Sequence, residues 1–162
     1  MKSEKRVLFV CTGNTCRSPM AEGFFRKLVE EEESVQVLGS AGVAAYPGDL
    51  ISKETDDLLK SKGAELAGCR SRAVDEKMLS EATHVFAMTE SHLDMLVGSF
   101  PAYEDKCHLV CDFIELNGEV GIDVPDPIGQ GPRAYQMVAQ VFGHALPALL
   151  EFIKQTDQGE EE

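Results

Sequence analysis

The sequence predicts a single α/β domain: a four-stranded parallel sheet with helices on both faces. Three observations support this fold class. The chain has 162 residues, which suits one domain with a full core. Hydrophobic residues make up 43% of it, which is typical of a folded chain rather than a disordered one. Short apolar runs alternate with amphipathic stretches, as in parallel sheets whose strands are joined by helices.

The first half of the chain begins with a buried strand at Val7–Val10, a short β-branched and aromatic run. Ser18 followed by Pro19 predicts a helix start, with a hydroxyl N-cap before proline at the first helical position. A second strand is predicted at Val35–Leu38. A helix is expected at Ser52–Lys62, since the next residue is a glycine that suits a helix C-terminus.

The second half continues the alternation. Two further strands and three further helices are predicted, and a loop rich in Gly, Pro and Asp covers residues 121–132. Residues 1–156 are expected to form the domain, and residues 157–162 an acidic, disordered tail. The predicted elements are a short helix at Asp75–Ser80, a strand at His84–Met88, a helix at Ser91–Val97, a strand at Lys106–Val110 and a long helix at Arg133–Lys154.

The net charge of the chain excludes some classes of binding partner. The formal net charge is −13 and the sequence pI is about 4.7, which argues against nucleic acid or an anionic membrane as partner. No run reaches the roughly 18 apolar residues of a membrane span, and the N-terminal apolar run is too short for a signal peptide. We therefore expect a cytoplasmic protein whose five cysteines are reduced.

Residues 11–18, Cys-Thr-Gly-Asn-Thr-Cys-Arg-Ser, directly follow the first predicted strand. Ligand sites of such sheets lie beyond the carboxyl ends of the strands, which is where Cys11 stands. Gly13 gives the backbone room to curl, and Asn14 tolerates a left-handed conformation. A curled loop that enters a helix N-terminus points backbone N–H groups at an oxyanion, which Arg17 can also grip with its planar fork. This positive field favours the nucleophilic thiolate form of Cys11.

A phosphate ester also needs an acid to protonate its leaving group. The best candidate is Asp126, which is flanked by Pro125 and Pro127 in the late loop. Two prolines stiffen the loop and would hold the carboxylate in a fixed position.

With these two motifs the chain resembles the low-molecular-weight protein tyrosine phosphatase family over essentially the whole domain. The resemblance implies that Cys11 attacks phosphorus and forms a phosphocysteine, while Arg17 and the loop amides hold the phosphoryl oxygens. It implies that Asp126 protonates the leaving group and then activates water. It further implies that Ser18 hydrogen-bonds the thiolate and that Asn14 holds the loop shape. No metal or cofactor is expected. The residues expected to bind the substrate are Thr12, Gly13, Asn14, Thr15, Cys16 and Ser18.

Two positions bear on regulation and substrate. Cys16 also matches the family, where it can form a protective disulfide with the nucleophile. Thr15 replaces the bulky aliphatic residue common in tyrosine-directed members, and the loop then resembles the bacterial protein arginine phosphatase branch. Ile128 and Gly129 stand where tyrosine-directed members tend to have aromatic residues. Phosphoarginine in proteins is therefore the favoured substrate and phosphotyrosine the alternative. We expect the phosphatase to be a monomer or weak dimer.

Three other functions fit the sequence less well. Arsenate reductase shares the fold and the Cys-x5-Arg loop, but it needs further cysteines after the third strand, and residues 88–93 contain none. A non-catalytic phosphate-binding module would be expected to lose the nucleophile or the acid. A metal site at Cys107, His108 and Cys111 lacks a second ligand pair.

The histidines and a pair of arginines after the second helix are expected to have no role in the chemistry, although the arginines could add to substrate attraction. The four histidines are scattered along the chain, and packing or solvation accounts for them. Arg70 and Arg72 are expected to lie on a solvated loop.

Overall fold

The computed structural model describes residues 4–116 and 118–156 and confirms the predicted fold class. Four parallel strands form one sheet in the order β2-β1-β3-β4. These strands are β1 (Lys5–Cys11), β2 (Val35–Gly42), β3 (His84–Ala87) and β4 (Cys107–Leu109). The tail predicted at residues 157–162 lies outside the described residues.

Helices accompany the sheet, and the predicted helices agree with them to within a few residues. They are α1 (Arg17–Leu28), α2 (Lys53–Ser61), α3 (Glu76–Glu81), α4 (Glu90–Ser99) and α5 (Pro132–Gln155). The sequence does not indicate two 3₁₀ helices, Pro101–Lys106 and Val110–Phe113, nor a small antiparallel hairpin of β5 (Glu115–Leu116) and β6 (Glu119–Val120).

The two faces of the sheet carry separate cores, because successive side chains of a strand point to opposite faces. Val7 and Phe9 of β1 pack with α1, α2 and α5, whereas Leu8 and Val10 pack with α3 and α4. All four side chains are fully buried. This division accounts for the continuous apolar run of β1, which is covered by helices on both faces.

Strand β2 is four residues longer than predicted. The sequence Gly-Ser-Ala-Gly at residues 39–42 suggests a strand end, but these residues continue to pair with β1. A register shift opposite Val7 and Leu8 leaves Leu38 as an extra residue, and Gly39 adopts a positive φ of 136° directly after it. Glycine accepts this conformation, so β2 bulges and continues instead of ending.

The sheet order also explains where a ligand site forms. β2 pairs with one edge of β1 and β3 with the other, so the chain reverses its winding direction between β1 and β3. The loops that follow these two strands diverge and leave a crevice at their carboxyl ends. Cys11 ends β1 at this crevice, and α4 begins soon after β3 ends.

Candidate active site

Residues 11–18 form a curled loop from the end of β1 into the first turn of α1, and Asn14 holds its shape. Asn14 adopts a left-handed backbone with φ 58°, as its short polar side chain permits. Its buried amide donates to Ser18 Oγ at 2.9 Å and to Ser40 Oγ at 2.8 Å. Its carbonyl oxygen accepts from the Arg72 backbone N–H at 3.0 Å. One side chain therefore fixes the loop to α1, to β2 and to the segment before α3.

The loop offers unpaired backbone donors. Within the described residues, no intramolecular hydrogen bond is found for the N–H groups of Thr12, Gly13, Thr15 or Cys16. The next two residues open α1, so their amides have no partner inside the helix either. Grouped donors of this kind at a helix N-terminus suit an oxyanion.

Cys11 is a buried residue whose Sγ lies close to two donors. The Asn14 N–H donates to it at 3.3 Å, and Ser18 Oγ lies at 2.9 Å. Ser18 Oγ accepts from the Asn14 amide, and two acceptors lie near its own proton: the sulfur at 2.9 Å and the Ala41 carbonyl oxygen at 3.5 Å. The sulfur is the better placed of the two, because 3.5 Å is long for an O–H···O bond. A thiolate at this position is therefore hydrogen-bonded from two sides.

The prediction that Ser18 caps α1 is wrong. The helix begins at Arg17, and Cys16 occupies the N-cap position without a side-chain cap bond. Ser18 lies inside the first turn, where its hydroxyl contacts the Asn14 amide and the Cys11 thiol. The hydroxyl therefore does not pair with the first-turn amides, and those amides keep their capacity to bind an anion.

Arg17 links the loop to the segment that carries Asp126. The guanidinium is buried, and Nη1 donates to the Val124 carbonyl oxygen at 3.0 Å. Nη2 lies 3.9 Å from the Asp126 carboxylate, a half-exposed group whose Oδ1 also accepts from the Ile128 N–H at 3.1 Å. The Val124 N–H donates to the Met88 carbonyl at 2.9 Å, which fastens this segment to the end of β3. The structure thus brings the two sequence motifs together at one edge of the sheet.

Cys16 and Thr15 form the rim of the loop near α5. Cys16 is buried and its Sγ lies 3.4 Å from the Tyr135 hydroxyl, while Thr15 Oγ1 lies 3.7 Å from the same sulfur. Burial first, and then the contact with Cys16, raises the pKa of Tyr135, so its hydroxyl stays protonated. The Ser52 N–H donates to the Thr15 carbonyl at 2.8 Å, and Thr15 itself is half-buried.

A buried polar network lies behind the loop, and no sequence pattern indicates it. Ser40 Oγ donates to Glu22 Oε1 at 2.8 Å, and the other Glu22 oxygen pairs with Arg26 at 2.9 Å. Arg72 is half-buried and donates from Nε to the Ser40 carbonyl at 2.9 Å, so the expectation of a solvated loop is wrong for this residue. Arg70 is exposed, as expected.

His92 is a second neighbour of the loop that the sequence motifs do not include. It lies in the first turn of α4, is buried, and its Nε2 is 2.6 Å from Thr12 Oγ1. The signal that could have found it is topological, because a residue just after β3 shares a sheet edge with the loop after β1. The expectation that every histidine serves only packing or solvation overlooks this edge.

Two further cysteines, metal binding and membrane spans concern parts of the structure outside this site. Burial raises the pKa of Cys107 and of Cys111 to about 11, which keeps both as unreactive thiols at neutral pH. The described residues contain no group of three or more His, Cys, Asp or Glu side chains arranged to hold a metal ion. Within residues 4–116 and 118–156, no helix has the length and apolar character of a membrane span.

Comparison with known proteins finds matches over nearly the whole chain. A family model described as low molecular weight phosphotyrosine protein phosphatase matches residues 6–159. A protein-arginine-phosphatase of Geobacillus stearothermophilus is 40% identical over 154 residues, covering 94% of this chain and 98% of the relative. The low molecular weight protein-tyrosine-phosphatase YfkJ of Bacillus subtilis is 31% identical over 157 residues, covering 94% and 97%.

Two solved structures are similar over nearly their whole length. The YwlE arginine phosphatase of Geobacillus stearothermophilus has a TM-score of 0.83 at 39% identity, covering 98% of this chain and 97% of that one. A cysteine-to-serine mutant of YwlE arginine phosphatase with a phosphorylated active-site serine has a TM-score of 0.82 at 33% identity, covering 92% and 95%.

Proposed function

The chain belongs to the low molecular weight phosphotyrosine protein phosphatase family, and we propose that it hydrolyses phosphoarginine in proteins through a phosphocysteine at Cys11. One observation carries the proposal. The Cys11 thiol, the Arg17 guanidinium and a set of unpaired loop amides meet at one edge of the sheet, and the Asp126 carboxylate lies 3.9 Å from that guanidinium. A nucleophile, an oxyanion site and an acid are the groups that this phosphoryl transfer requires.

The first step transfers the phosphoryl group to sulfur. The Cys11 thiolate attacks phosphorus in line, and the P–N bond to the substrate guanidine breaks. The leaving nitrogen takes the proton of Asp126. Arg17 and the unpaired amides of the loop bind the phosphoryl oxygens, so the charge that develops on these oxygens faces hydrogen-bond donors that are already in place.

The second step regenerates the enzyme. Asp126, now a carboxylate, accepts a proton from water, and the water oxygen attacks the phosphocysteine. The P–S bond breaks and phosphate leaves. The departing thiolate is stabilised by the Ser18 hydroxyl and the Asn14 N–H, whose distances to the sulfur are 2.9 and 3.3 Å. The phosphorylated serine in the YwlE mutant is consistent with such covalent transfer.

The substrate assignment rests on Thr15. Its hydroxyl is carried on the half-buried rim of the loop, where it can accept a hydrogen bond from a guanidine N–H of the leaving group. The protein-arginine-phosphatase relative supports this choice. Phosphotyrosine is the alternative substrate, supported by the relative YfkJ.

We further propose that the enzyme acts in the cytoplasm on phosphorylated proteins, as a monomer or weak dimer. Cys16 is proposed as the redox partner of Cys11, and residues 1–156 as the catalytic domain. The net charge of −13 disfavours nucleic acid and anionic membranes as partners.

Release of phosphate from a phosphoarginine peptide tests the proposal. Wild-type protein should release phosphate, and quenched samples should carry one phosphate on Cys11 by mass spectrometry. The matched control is Cys11→Ser, which keeps the size of the side chain but supplies no thiolate. This variant should stay folded and bind phosphate, yet lose turnover. Activity of Cys11→Ser within about tenfold of wild type would refute the covalent mechanism, since a missing nucleophile costs far more than one hydrogen bond.

A further inference from the structure

We propose that His92 is a positioning residue of this reaction: its imidazole donates from Nε2 to Thr12 Oγ1 and thereby fixes the first loop residue after the nucleophile. The proposal rests on the proposed function and deepens it. Neither sequence motif contains this histidine, which is 80 residues from Thr12 and reaches the loop only because β1 and β3 are neighbours.

Thr12 is held at two points, and His92 supplies one of them. The Thr12 carbonyl accepts from the Ala44 N–H at 3.0 Å, which ties its backbone to the segment after β2. Its hydroxyl lies 2.6 Å from His92 Nε2, which ties its side chain to α4. Thr12 itself is exposed at the mouth of the site, so without His92 its side chain would be free to turn.

The imidazole is itself held in place. Thr89 caps α4, accepting from the His92 backbone N–H at 3.1 Å. The Glu90 N–H donates to the Asp123 carboxylate at 2.8 Å. Asp123 directly precedes Val124, whose carbonyl oxygen accepts a hydrogen bond from Arg17. The first turn of α4 is therefore bonded both to the anion-binding loop and to the segment that carries the acid.

The protonation state fits a donor at Nε2. Burial, and then the Arg17 guanidinium, lower the pKa of His92 to about 4, against a smaller opposite effect of Asp123 and Asp126. The ring is therefore neutral at pH 7 and carries one N–H. Nδ1 is buried and has no hydrogen-bond partner among the described residues. A buried N–H without an acceptor is rarer than a buried acceptor without a donor, so the proton is assigned to Nε2.

This tautomer has a consequence for Thr12. When Thr12 Oγ1 accepts from His92, the hydroxyl proton is not used in that bond. The hydroxyl proton of Thr12 is left to donate toward the mouth of the site. The backbone N–H of Thr12 also has no partner within the described residues, so both donors are available there. His92 would thus turn the Thr12 hydroxyl into an oriented donor for the bound phosphoryl group.

Two amide substitutions separate positioning from packing. In His92→Gln the side-chain amide can reach the place of Nε2 and keep the bond to Thr12. In His92→Asn the amide can reach only the place of Nδ1, so the bond is lost. We expect His92→Asn to weaken binding of inorganic phosphate about 3- to 10-fold by calorimetry, the value of one hydrogen bond, and His92→Gln to stay within about twofold of wild type.

A second variant keeps the test independent of whether His92→Asn folds well. Thr12→Val removes the same bond from the exposed side, and should give the same loss of phosphate affinity and the same loss of kcat/KM. Combined with His92→Asn it should add little, because both changes remove one interaction. The proposal would be overturned if the losses of phosphate affinity in the two single variants multiplied in the double variant. It would also be overturned if His92→Gln lost as much phosphate affinity as His92→Asn.

The same measurements distinguish this inference from the proposed function. A wild-type protein that binds phosphate and hydrolyses phosphoarginine, with His92→Asn equal to it in both respects, would contradict only the role of His92. A folded wild-type protein that neither binds phosphate nor hydrolyses a phosphopeptide would contradict both.

Discussion

Ser18 Oγ lies 2.9 Å from Cys11 Sγ, although Ser18 belongs to the first turn of α1 and Cys11 is the last residue of β1. The loop between them is wound so tightly that the Asn14 side-chain amide donates to the same hydroxyl. The hydroxyl proton then has the sulfur as its nearer acceptor, since the Ala41 carbonyl oxygen lies at 3.5 Å. This hydrogen bond matters most when sulfur leaves phosphorus as a thiolate.

Ser18→Ala should therefore slow the breakdown of the phosphocysteine more than its formation. A hydrogen bond to a charged group contributes about 1.5–3 kcal/mol, so the second step should slow roughly 10- to 150-fold. Rapid-quench measurements should show phosphoenzyme accumulating in the variant, with a burst of the dephosphorylated peptide. If both steps slow equally and no phosphoenzyme accumulates, Ser18 serves the loop shape and not the thiolate.

Asp126→Asn should slow hydrolysis of substrates with poor leaving groups by roughly 10²- to 10⁴-fold, the usual contribution of a general acid. An aryl phosphate with a good leaving group needs less protonation, so its first step should suffer less. The comparison requires single-turnover rates for both kinds of substrate. Equal losses on both would indicate that the carboxylate only supports the loop, through the Arg17 and Ile128 contacts seen in the structure.

Mild peroxide should inactivate the enzyme reversibly, and recovery with a dithiol should depend on Cys16. A disulfide between Cys16 and Cys11 would stop oxidation of the nucleophile at a reversible stage. Cys16 Sγ lies 3.4 Å from the Tyr135 hydroxyl, so it must leave this contact to form the disulfide. Recovery of activity is compared between wild type and Cys16→Ser after equal exposure. A variant that recovers as fully as wild type would rule out the protective role.

Acid should destabilise the wild type more than His92→Gln. His92 has a pKa of about 4 in the folded protein, below the ordinary value of 6.5, so between these pH values the unfolded chain binds the extra proton. Stability is therefore lost as the pH falls from 6.5 to 4, by about 3 kcal/mol from this group. Glutamine cannot titrate, so its curve of unfolding free energy against pH should be flatter. Parallel curves would contradict the assignment of a neutral, buried imidazole.

The fold and the two chemical motifs can be predicted because each has a local signal. The apolar run at Val7–Val10 and the helical periodicity after it depend on neighbouring residues, as does the Cys-x5-Arg spacing. The length of β2 has no such signal, since its continuation depends on pairing with β1 across a bulge at Leu38. The sequence around Ser18 is misleading because a hydroxyl residue before proline suggests a helix N-cap. The hydroxyl points toward Cys11 instead, and this depends on the geometry of the whole loop.

The supporting residues escape prediction because they join the site through tertiary contacts alone. Glu22 is buried on α1 and reaches the loop through Ser40, while Arg72 reaches Asn14 through its backbone N–H. Every residue except proline has a backbone N–H, so a contact made by this group does not depend on the residue type. No pattern in the sequence could therefore reveal it. His92 is different, because its place just after β3 puts it at the same sheet edge as the nucleophile once the strand order is known.

Competition between two phosphopeptides in one reaction tests the central claim most directly. Peptides of matched sequence, one with phosphoarginine and one with phosphotyrosine, are mixed in equal amounts, and both products are followed by mass spectrometry. The ratio of initial rates then equals the ratio of kcat/KM. We predict that wild type prefers phosphoarginine. We also predict that Thr15→Ile lowers the ratio about 5- to 150-fold, because an apolar side chain would leave guanidine donors unpaired at a cost of about 1–3 kcal/mol. A wild type that prefers phosphotyrosine, or a ratio that Thr15→Ile does not change, would contradict the phosphoarginine assignment.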